Sequence, residues 1–318
     1  MTSYFLKRVF YMALTLFGAS ILIFFLYALT PGDFVDTSPK LTAERKLELK
    51  AMYGLDKPVV ERYFIWMKNA LQGDFGYSLQ YQQPVMSLLN DYIWNSFLLA
   101  ITSTFFTWLI AISIGVLSAA RQHSWFDALV TIGVFAAMSL PVFFVGLLFI
   151  KLFAVDAKLF PAGGMMTIGS KETGLAYAWD VVQHMFLPVT VLTLLSVGTL
   201  TRYFRTNMLE VIQQDFVRTA RAKGLKEKVV LHKHALRNAL LPAITLLGFE
   251  LPALFGGAII TEKIFNWPGV GQLYMQAFSV RDYPLLMGFT MFLAILTVIG
   301  NLSADLLYRV ADPRVRLK

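Results

Sequence analysis

Cysteine is absent from the 318-residue sequence, and histidine occurs only four times. Without cysteine the chain can form no disulfide bond, has no thiol nucleophile and ligates no metal through sulfur. The histidines form no His-Glu-x-x-His pair, and two histidines separated by one residue do not share a helix face. They are His123, His184, His232 and His234. The sequence therefore predicts no metal site.

The sequence also lacks two other catalytic motifs. The Gly-x-Ser-x-Gly elbow of serine hydrolases does not occur. The segment from Gly164 to Lys171 superficially resembles a phosphate-binding loop, but its lysine comes one residue late and no strand precedes it. We therefore expect this chain to be no enzyme, to hold no cofactor and to hydrolyse no ATP itself.

Charge is also scarce, since Asp, Glu, Lys and Arg make up 15% of the residues while hydrophobic residues make up 57%. A soluble domain of this size carries more charge, so this composition and the mean hydropathy of +0.59 indicate an integral membrane protein. The net charge of +8 comes from basic residues at the ends of apolar stretches and in one loop. That distribution is typical of membrane topology, so nucleic acid is not an expected partner.

Six stretches are apolar over about the length of a bilayer crossing, roughly 20 residues. They predict membrane-spanning helices near residues 9–29, 94–117, 128–150, 185–201, 243–261 and 285–304. The first is longer than the apolar region of a signal peptide, and residues 30–33 make a poor cleavage site, so it is predicted to remain as a helix. The expected fold class is an all-α, multi-pass membrane protein with six transmembrane helices.

Basic residues orient these helices. Lys7 and Arg8 precede the first span, Arg121 lies between the second and third, and further Arg and Lys residues follow the last. The loops on the other side are balanced in charge. Because cytoplasmic loops carry the excess of Lys and Arg, both termini are predicted to be cytoplasmic, which agrees with an even number of spans.

Residues 202–242, called the basic segment below, hold nine Lys and Arg residues against three acidic ones. Leu209, Ile212, Phe216 and Ala220 recur at helical spacing, and Gly224 stands where a left-handed cap would end a helix. Two interpretations stay open. The segment is either an amphipathic helix that docks on a partner at the inner membrane face, or a basic loop that only marks the cytoplasmic side.

The predicted external side carries three segments. In residues 31–92, Thr42 can cap one helix and Pro58 suits the first turn of another. This segment is too small to fold as a binding domain by itself, so we expect a helical lid. Residues 156–182 and 262–284 contain clustered Pro and Gly, and irregular backbone near a membrane is tolerated where protein buries it.

Glu250 lies near the middle of the predicted fifth span, where a carboxylate costs at least a few kcal/mol unless it meets water, a partner or a proton. It is either a residue of a translocation path or a helix-interface carboxyl that contacts no substrate. The prolines Pro141, Pro188 and Pro252 also fall in or near spans. Kinks at proline suit a subunit that rearranges, and equally a tightly packed bundle.

Short motifs occur along the chain in a characteristic order. They are Pro31-Gly32-Asp33, Tyr53-Gly54-Leu55-Asp56-Lys57-Pro58, Gly73-Asp74-Phe75-Gly76-Tyr77-Ser78, Phe160-Pro161-Ala162-Gly163-Gly164, Glu262-Lys263-Ile264-Phe265-Asn266-Trp267-Pro268-Gly269-Val270-Gly271 and Asp312-Pro313-Arg314. In this order and spacing they resemble the permease subunits of ATP-binding-cassette (ABC) importers, specifically the dipeptide and oligopeptide permease B type. The resemblance runs nearly from end to end.

The basic segment then resembles the loop by which such permeases hold their ATPases. Arg218-Thr219-Ala220 stands where the broad importer pattern has Glu-Ala-Ala, and Gly224 follows, while Leu241-Pro242 comes later than in that pattern. The form Arg-Thr-Ala-Arg-Ala-Lys-Gly is similar to that of the peptide branch.

The resemblance implies an ATPase-docking surface in this segment. Small alanines would let the helix settle into a groove, a phenylalanine would anchor it, and arginines would offer charge-assisted hydrogen bonds. The residues expected to dock are Phe216, Arg218, Ala220, Arg221, Ala222 and Gly224.

The resemblance also implies the assembly. The expected fold is a MetI-like type I importer core, with a first helix (1–30), an extracytoplasmic helical segment (31–93), a five-helix core (94–305) and a cytoplasmic tail (306–318). Expected partners are a second homologous permease, two ATPases that bind ATP and Mg, an extracytoplasmic peptide-binding protein, and the lipid of a bacterial plasma (inner) membrane. The expected extracytoplasmic gate or binding-protein contacts are Trp267, Pro268 and Gly269, and Glu250 is expected in the translocation path.

Peptides are the substrate that this resemblance favours, while related permeases import nickel, glutathione or other small solutes. The histidines are not clustered in spans, which favours peptide over nickel. A self-sufficient secondary carrier is the remaining alternative. It predicts inverted repeats or several intramembrane charges, and neither is evident in the sequence.

Overall fold

A computed structural model of the chain describes residues 2–32, 34–37, 42–52, 54–243, 246, 250 and 258–311. Over these residues the structure is mostly helical, as the sequence predicts. Contacts divide the chain into two compact units. Among the described residues, the first combines the chain up to Ser96 with Pro268–Ile299, and the second combines Phe97–Trp267 with residues 300–311.

The regular elements follow one another along the described chain with one short strand pair among the helices. They are α1 (Thr2–Ala28), α2 (Phe34–Thr37), α3 (Ala43–Met52), α4 (Val59–Ala70), β1 (Tyr77–Ser78), β2 (Gln83–Pro84), α5 (Val85–Ala120), α6 (Trp125–Ser139), α7 (Val142–Phe149) with a π-helical continuation (Ile150–Asp156), α8 (Leu175–Ile212), α9 (Asp215–Ala222), α10 (Glu227–Val229) with a π-helical turn (Val230–Ala235), α11 (Leu236–Ala239), α12 (Ile259–Ile264), α13 (Val270–Val280) and α14 (Tyr283–Ala311).

The core of the first unit forms where α4 packs on α1 and on the start of α14. Its buried members include Phe24 of α1, Tyr63 and Trp66 of α4, and Met287 and Met291 of α14. The aromatic rings of Phe24 and Tyr63 meet edge to face at 5.4 Å between centroids, a geometry that adds to the gain from burial. The predicted helical segment after the first span is therefore packed against that span.

The two helical starts predicted for this segment are present. The Thr42 hydroxyl accepts a hydrogen bond from the Arg45 N–H at 3.3 Å and so caps α3, as predicted. Pro58 directly precedes α4 with an extended ψ of 138°. Proline suits this place because the first N–H groups of a helix have no partner within it.

A two-stranded hairpin was not predicted. Tyr77 pairs with Pro84 and Ser78 with Gln83 in an antiparallel register. Asp282, which is fully buried, accepts hydrogen bonds from the Ser78 hydroxyl at 2.5 Å and from the Gln80 N–H at 3.1 Å. These bonds join residues about 200 positions apart, which local sequence patterns do not reveal.

Four helices among the described residues are long and apolar enough to cross a membrane, and a bent pair makes a fifth. The four cover the predicted first, second, fourth and sixth spans, at Leu6–Ala28, Val85–Ala120, Leu175–Ile212 and Tyr283–Leu306. The predicted fifth span, residues 243–261, lies largely outside the described residues. Pro252 and the motif Asp312-Pro313-Arg314 also lie outside them.

The predicted third span is not one kinked helix. It consists of α6 and α7, which meet at 99°. Leu140, between them, has an extended backbone with φ −89° and ψ 130°. The cause is Pro141, because the proline ring disfavours helical geometry in the residue before it. Pro188, by contrast, lies inside α8 without ending that helix.

The core of the second unit places α7 and α12 against α8. Its buried members include Val145 of α7, Leu187 and Val191 of α8, and Phe265 just after α12. The irregular stretch predicted from Phe160-Pro161-Ala162-Gly163-Gly164 is present between Asp156 and Gly174. There the Gly164 N–H donates to the Phe265 carbonyl at 2.8 Å. A hydrogen bond within the protein thus satisfies one backbone N–H group of this irregular stretch.

Candidate functional site

The basic segment begins inside α8 and continues through α9 to α11. The predicted helical spacing from Leu209 to Ala220 does not belong to one helix. It is interrupted because α8 ends at Ile212, and Gln214 takes an extended backbone with φ −72° and ψ 150°. The Gln214 carbonyl accepts the N–H groups of Val217 and Arg218, so α9 begins as a separate short helix.

A small apolar core holds α9 in place within the second unit. Its buried members come from α5, α8, α9 and the helical turns that follow. They are Val116, Ala119, Met208, Val217, Ala220, Val230, Ala235 and Ala239. Burial of Val217 and Ala220 fixes one face of α9 to the chain itself, so the opposite face is turned outwards.

The predicted docking residues differ in exposure. Phe216 is 42% exposed although it is a large apolar side chain, and Arg218 and Ala222 are exposed beside it. Ala220 is buried in the chain's own core. Val217, which the sequence analysis did not single out, is fully buried next to Phe216. Phe216, Arg218 and Ala222 are therefore accessible on the surface of α9, with Phe216 and Arg218 on different sides of the helix.

Gly224 ends this helix in the predicted manner. Its φ is +74°, a left-handed conformation, and its N–H donates to the Arg221 carbonyl at 2.9 Å. A side chain at this position would meet no neighbour within 4 Å, so backbone conformation and not space explains the glycine.

Arg221 bonds within the chain. Its guanidinium donates two hydrogen bonds to the Glu227 carboxylate, at 2.7 and 3.1 Å, and this hydrogen-bonded guanidinium lowers the pKa of Glu227 from its usual value. Both side chains are largely exposed, so the pair contributes little to stability. Arg218 lies 3.6 Å from Asp215 in a still more exposed pair, which leaves its guanidinium open to a partner.

Two further apolar side chains extend the exposed surface of the basic segment. Leu225 and Val229 follow Gly224 and are both substantially exposed. Lys223, Lys226 and Lys228 are exposed in the same stretch. Sequence reasoning missed Leu225 and Val229 because they stand outside the helical period of α9. Their place between lysines in a predicted cytoplasmic loop was the available signal.

Arg205 of the basic segment is not a surface charge. It donates to Asp127 at the start of α6 from Nε at 2.7 Å and from Nη2 at 2.8 Å. Asp127 is buried and also accepts from the Ser118 hydroxyl and from the His123 N–H. A two-pronged contact of this kind fixes orientation as well as distance, so it ties α8 to α6 just before α9.

Trp267 was predicted as a gate or a binding-protein contact, and its side chain is fully buried. It packs in the second unit with Leu99, Val181, Met185 and Val189. The Trp267 side chain therefore supports its loop from within the core of the second unit.

The next two residues of that motif lie in the first unit. The Pro268 carbonyl accepts a hydrogen bond from the Asn95 side-chain amide at 2.8 Å, and Pro268 itself is half-buried. Gly269 is buried at the start of α13. Of the three predicted contact residues, Pro268 is thus the most accessible.

Glu250 is half-buried in a helical position. Residues 251–257, which follow it, lie outside the described part of the chain. Among the residues that the structure describes, no group of three His, Asp or Glu side chains could hold a metal ion.

Comparison with protein families covers the chain from end to end. Residues 111–317 match the family described as binding-protein-dependent transport system inner membrane component. Residues 1–100 match the N-terminal family of the same membrane components. The chain belongs to this family. It is therefore an inner-membrane permease component of a binding-protein-dependent transport system, as the motifs indicated.

Curated relatives match over their full length. The oligopeptide transport system permease protein AppB of Bacillus subtilis is 40% identical, with 99% of each chain covered. The dipeptide permease DppB of Alkalihalophilus pseudofirmus is 33% identical over 99% of this permease and 100% of its own length. The glutathione permease GsiC of Escherichia coli K12 is 33% identical over the full length of both.

A solved structure supports the fold. The MetNI methionine ABC transporter in inward-facing conformations contains a chain that this permease matches with a TM-score of 0.53 and 19% identity. The match covers 71% of this permease and 97% of that chain. The MetI-like fold of an ABC importer permease is therefore shared.

Proposed function

We propose that this permease is the membrane subunit of an ATP-driven importer of di- or oligopeptides. The observation that carries the substrate class is the 40% identity, over 99% of both chains, to the oligopeptide permease AppB. The dipeptide permease DppB, similar over its whole length, supports the same class. Glutathione is the second candidate, favoured by the 33% identity to GsiC.

The proposed topology has six transmembrane helices with both termini in the cytoplasm. Support comes from the four long apolar helices, the bent α6–α7 pair and the excess of basic residues at the predicted inner ends. The sixth helix would be the one near residues 243–261. The chain then divides into a first span (1–30), an extracytoplasmic segment (31–93), a five-helix core (94–305) and a cytoplasmic tail (306–318).

The exposed side chains of α9 are the proposed contact with the ATPases. Phe216 offers an apolar anchor, Arg218 a charged donor and Ala222 a place of close approach, while Val217 and Ala220 hold the helix from behind. An exposed aromatic side chain on a firmly packed helix is the usual form of an interface hot spot. Arg221 and Gly224 shape the end of the helix through the Glu227 pair and the left-handed cap.

The complete importer would contain two such permeases, this one and a homologous second, around one path. Two ATPases would bind ATP and Mg and dock on the two cytoplasmic helices, and an extracytoplasmic binding protein would deliver peptide. Closure of the ATPases would favour one of two states of the path, because ATP binds the closed form better. Hydrolysis belongs to those partners, since this chain lacks the motifs for it.

Two sites of this permease are proposed to contact the substrate or the binding protein that delivers it. Glu250 is proposed for the path, because a half-buried carboxylate in a membrane helix is stable when it faces water or substrate. Pro268 is proposed for contact with the binding protein, and the buried Trp267 and Gly269 are proposed to support the loop around it.

Reconstitution tests this proposal. The permease is assembled with its second permease, its ATPases and its binding protein in proteoliposomes, and uptake of labelled di- and oligopeptides, glutathione and Ni²⁺ is followed. We expect peptide uptake that needs both ATP and the binding protein. Uptake of glutathione alone would replace peptide by the second candidate, and ATP-independent uptake by the permease alone would exclude an ABC importer.

A further inference from the structure

Helix α4 carries an apolar stripe that the protein does not cover. Val60, Phe64 and Leu71 are 57%, 65% and 81% exposed. With the partly buried Met67 they stand at i, i+4, i+7 and i+11 and so share one side of the helix, including the capping residue Leu71. Exposed apolar residues scattered singly are ordinary, but an ordered stripe indicates an occupant.

The same helix has two other faces. Tyr63 and Trp66 face the core of the first unit. Glu61 and Lys68 are exposed and lie on the remaining side, next to the stripe. A helix with one side packed on protein, one side apolar and free, and one side polar fits the boundary between hydrocarbon and water.

The contacts of α4 with α1 show how far α4 reaches along the apolar span of α1. The Tyr63 hydroxyl lies 3.0 Å from the Ser20 hydroxyl, in a buried hydrogen bond. Ser20 stands eight residues before Ala28, the end of the apolar span Leu6–Ala28, which is about 12 Å along a helix. One leaflet contributes roughly 15 Å of hydrocarbon, so Tyr63 reaches well into that leaflet.

Apolar side chains of α1 in the same unit are exposed as well. Leu22 and Leu26 lie at the depth of these contacts and are exposed, as lipid-facing residues of a span are. The charged residues of α4 stand outside the stripe: Glu61 and Lys68 border it, and Arg62 lies farther round the helix.

We infer that α4 is embedded in the leaflet at the Ala28 end of the first span, with Val60, Phe64 and Leu71 against lipid acyl chains. In the proposed topology this is the outer leaflet. The helical segment after the first span is then partly a membrane element, and not a lid that stands wholly in the external solution. This inference does not depend on the substrate or on the ATPases.

Because the chain contains no cysteine, single cysteines can be introduced and labelled without background. Single cysteines at Phe64 and Leu71 are labelled with a nitroxide, and the full importer, with cysteine-free partner subunits, is reconstituted in phospholipid nanodiscs. Collision with oxygen, which concentrates in lipid, is compared with collision with a water-soluble nickel chelate. Leu22→Cys in the span is the lipid control, and Lys68→Cys on the polar side of α4 is the water control.

The expected ratio of oxygen to nickel collision at both stripe positions is close to that at Leu22→Cys and several-fold above that at Lys68→Cys. A ratio equal to that at Lys68→Cys would overturn the inference. Two other results would also overturn it. Protection from nickel that appears only when the binding protein is added would make that protein the occupant, and protection from both reagents would mean that another subunit covers the stripe.

Discussion

The Arg205 guanidinium holds the Asp127 carboxylate with two hydrogen bonds, Nε to Oδ1 at 2.7 Å and Nη2 to Oδ2 at 2.8 Å. One of the nine basic residues of the basic segment is thereby used inside the protein. Its partner is buried, and 78 residues separate the two in sequence. The pair joins the start of α6 to the part of α8 that leads into α9.

Removing one partner of this pair should destabilise the permease. Arg205→Met leaves the buried carboxylate without its two strongest donors, and we expect a loss of about 3 kcal/mol in unfolding free energy. Thermal or denaturant unfolding in detergent measures it. The control is Lys151→Met, which breaks the exposed pair with Asp156 and should cost under about 1 kcal/mol.

A second variant decides whether the two side chains act together. Asp127→Asn in the Arg205→Met background should cost less than the sum of the two single losses, because the uncompensated charge is removed. Strictly additive losses would show that the ion pair contributes no coupling.

Gly163 should not tolerate a side chain. A Cβ there would stand 2.4 Å from the Phe265 carbonyl oxygen, which is backbone and cannot turn away. Gly163→Ala is expected to lower stability by about 2 kcal/mol through overpacking. Gly133→Ala, where a Cβ meets nothing within 4 Å, should be neutral or stabilising by up to about 1 kcal/mol. Equal stability of the two variants would contradict this account.

Trp267 should matter for stability more than its place in an external motif suggests. Trp267→Ala empties a fully buried site among Leu99, Val181 and Met185, and the expected loss is about 4 kcal/mol. Trp179→Ala removes the same side chain from an exposed position and should change stability by under about 0.5 kcal/mol. If the Trp267 variant unfolds like the wild type, the tryptophan is not the support that its burial indicates.

Glu250 should affect transport and not assembly. Glu250→Gln keeps the shape of the side chain and removes its charge, so peptide uptake by the reconstituted importer should fall at least about tenfold, or about 1.4 kcal/mol in a barrier. The complex should assemble normally. Glu210→Gln, the same change at an exposed carboxyl, is the matched control. Unchanged uptake at normal expression would remove Glu250 from the path.

Local signals in the sequence predicted local structure. Thr42 as a cap, Gly224 as a left-handed end and the long apolar helices follow from rules that act within a few residues, and the structure confirms them. The break at Pro141 was predicted only as a kink, because a proline determines where a helix is disturbed but packing determines the angle. The 99° between α6 and α7 depends on what surrounds them.

Contacts between residues that are distant in sequence could not be predicted from the sequence. The Asp127–Arg205 pair and the Asp282–Ser78 bond join distant residues, and no spacing rule links them. Helix α9 shows the same limit. Phe216 and Val217 are both apolar neighbours, and only the structure shows which one is buried and which one is exposed. The full burial of Trp267, likewise, is visible only in the structure.

The central claim is that an ATPase docks on the exposed face of α9, and the contrast between those two neighbours gives the means to test it. Val217→Ala empties a buried site and should lower stability by about 2 kcal/mol, since two methyl groups lose their surroundings. Phe216→Asp changes a surface residue and should leave stability near that of the wild type.

The most direct measurement is the amount of ATPase that co-purifies with the permease carrying Phe216→Asp. Phe278→Asp, which places the same charge at an exposed phenylalanine of α13, is the control. The account predicts that the ATPases are lost with Phe216→Asp and retained with Phe278→Asp, while both permeases stay folded. Full retention of the ATPases by a folded Phe216→Asp permease would contradict it.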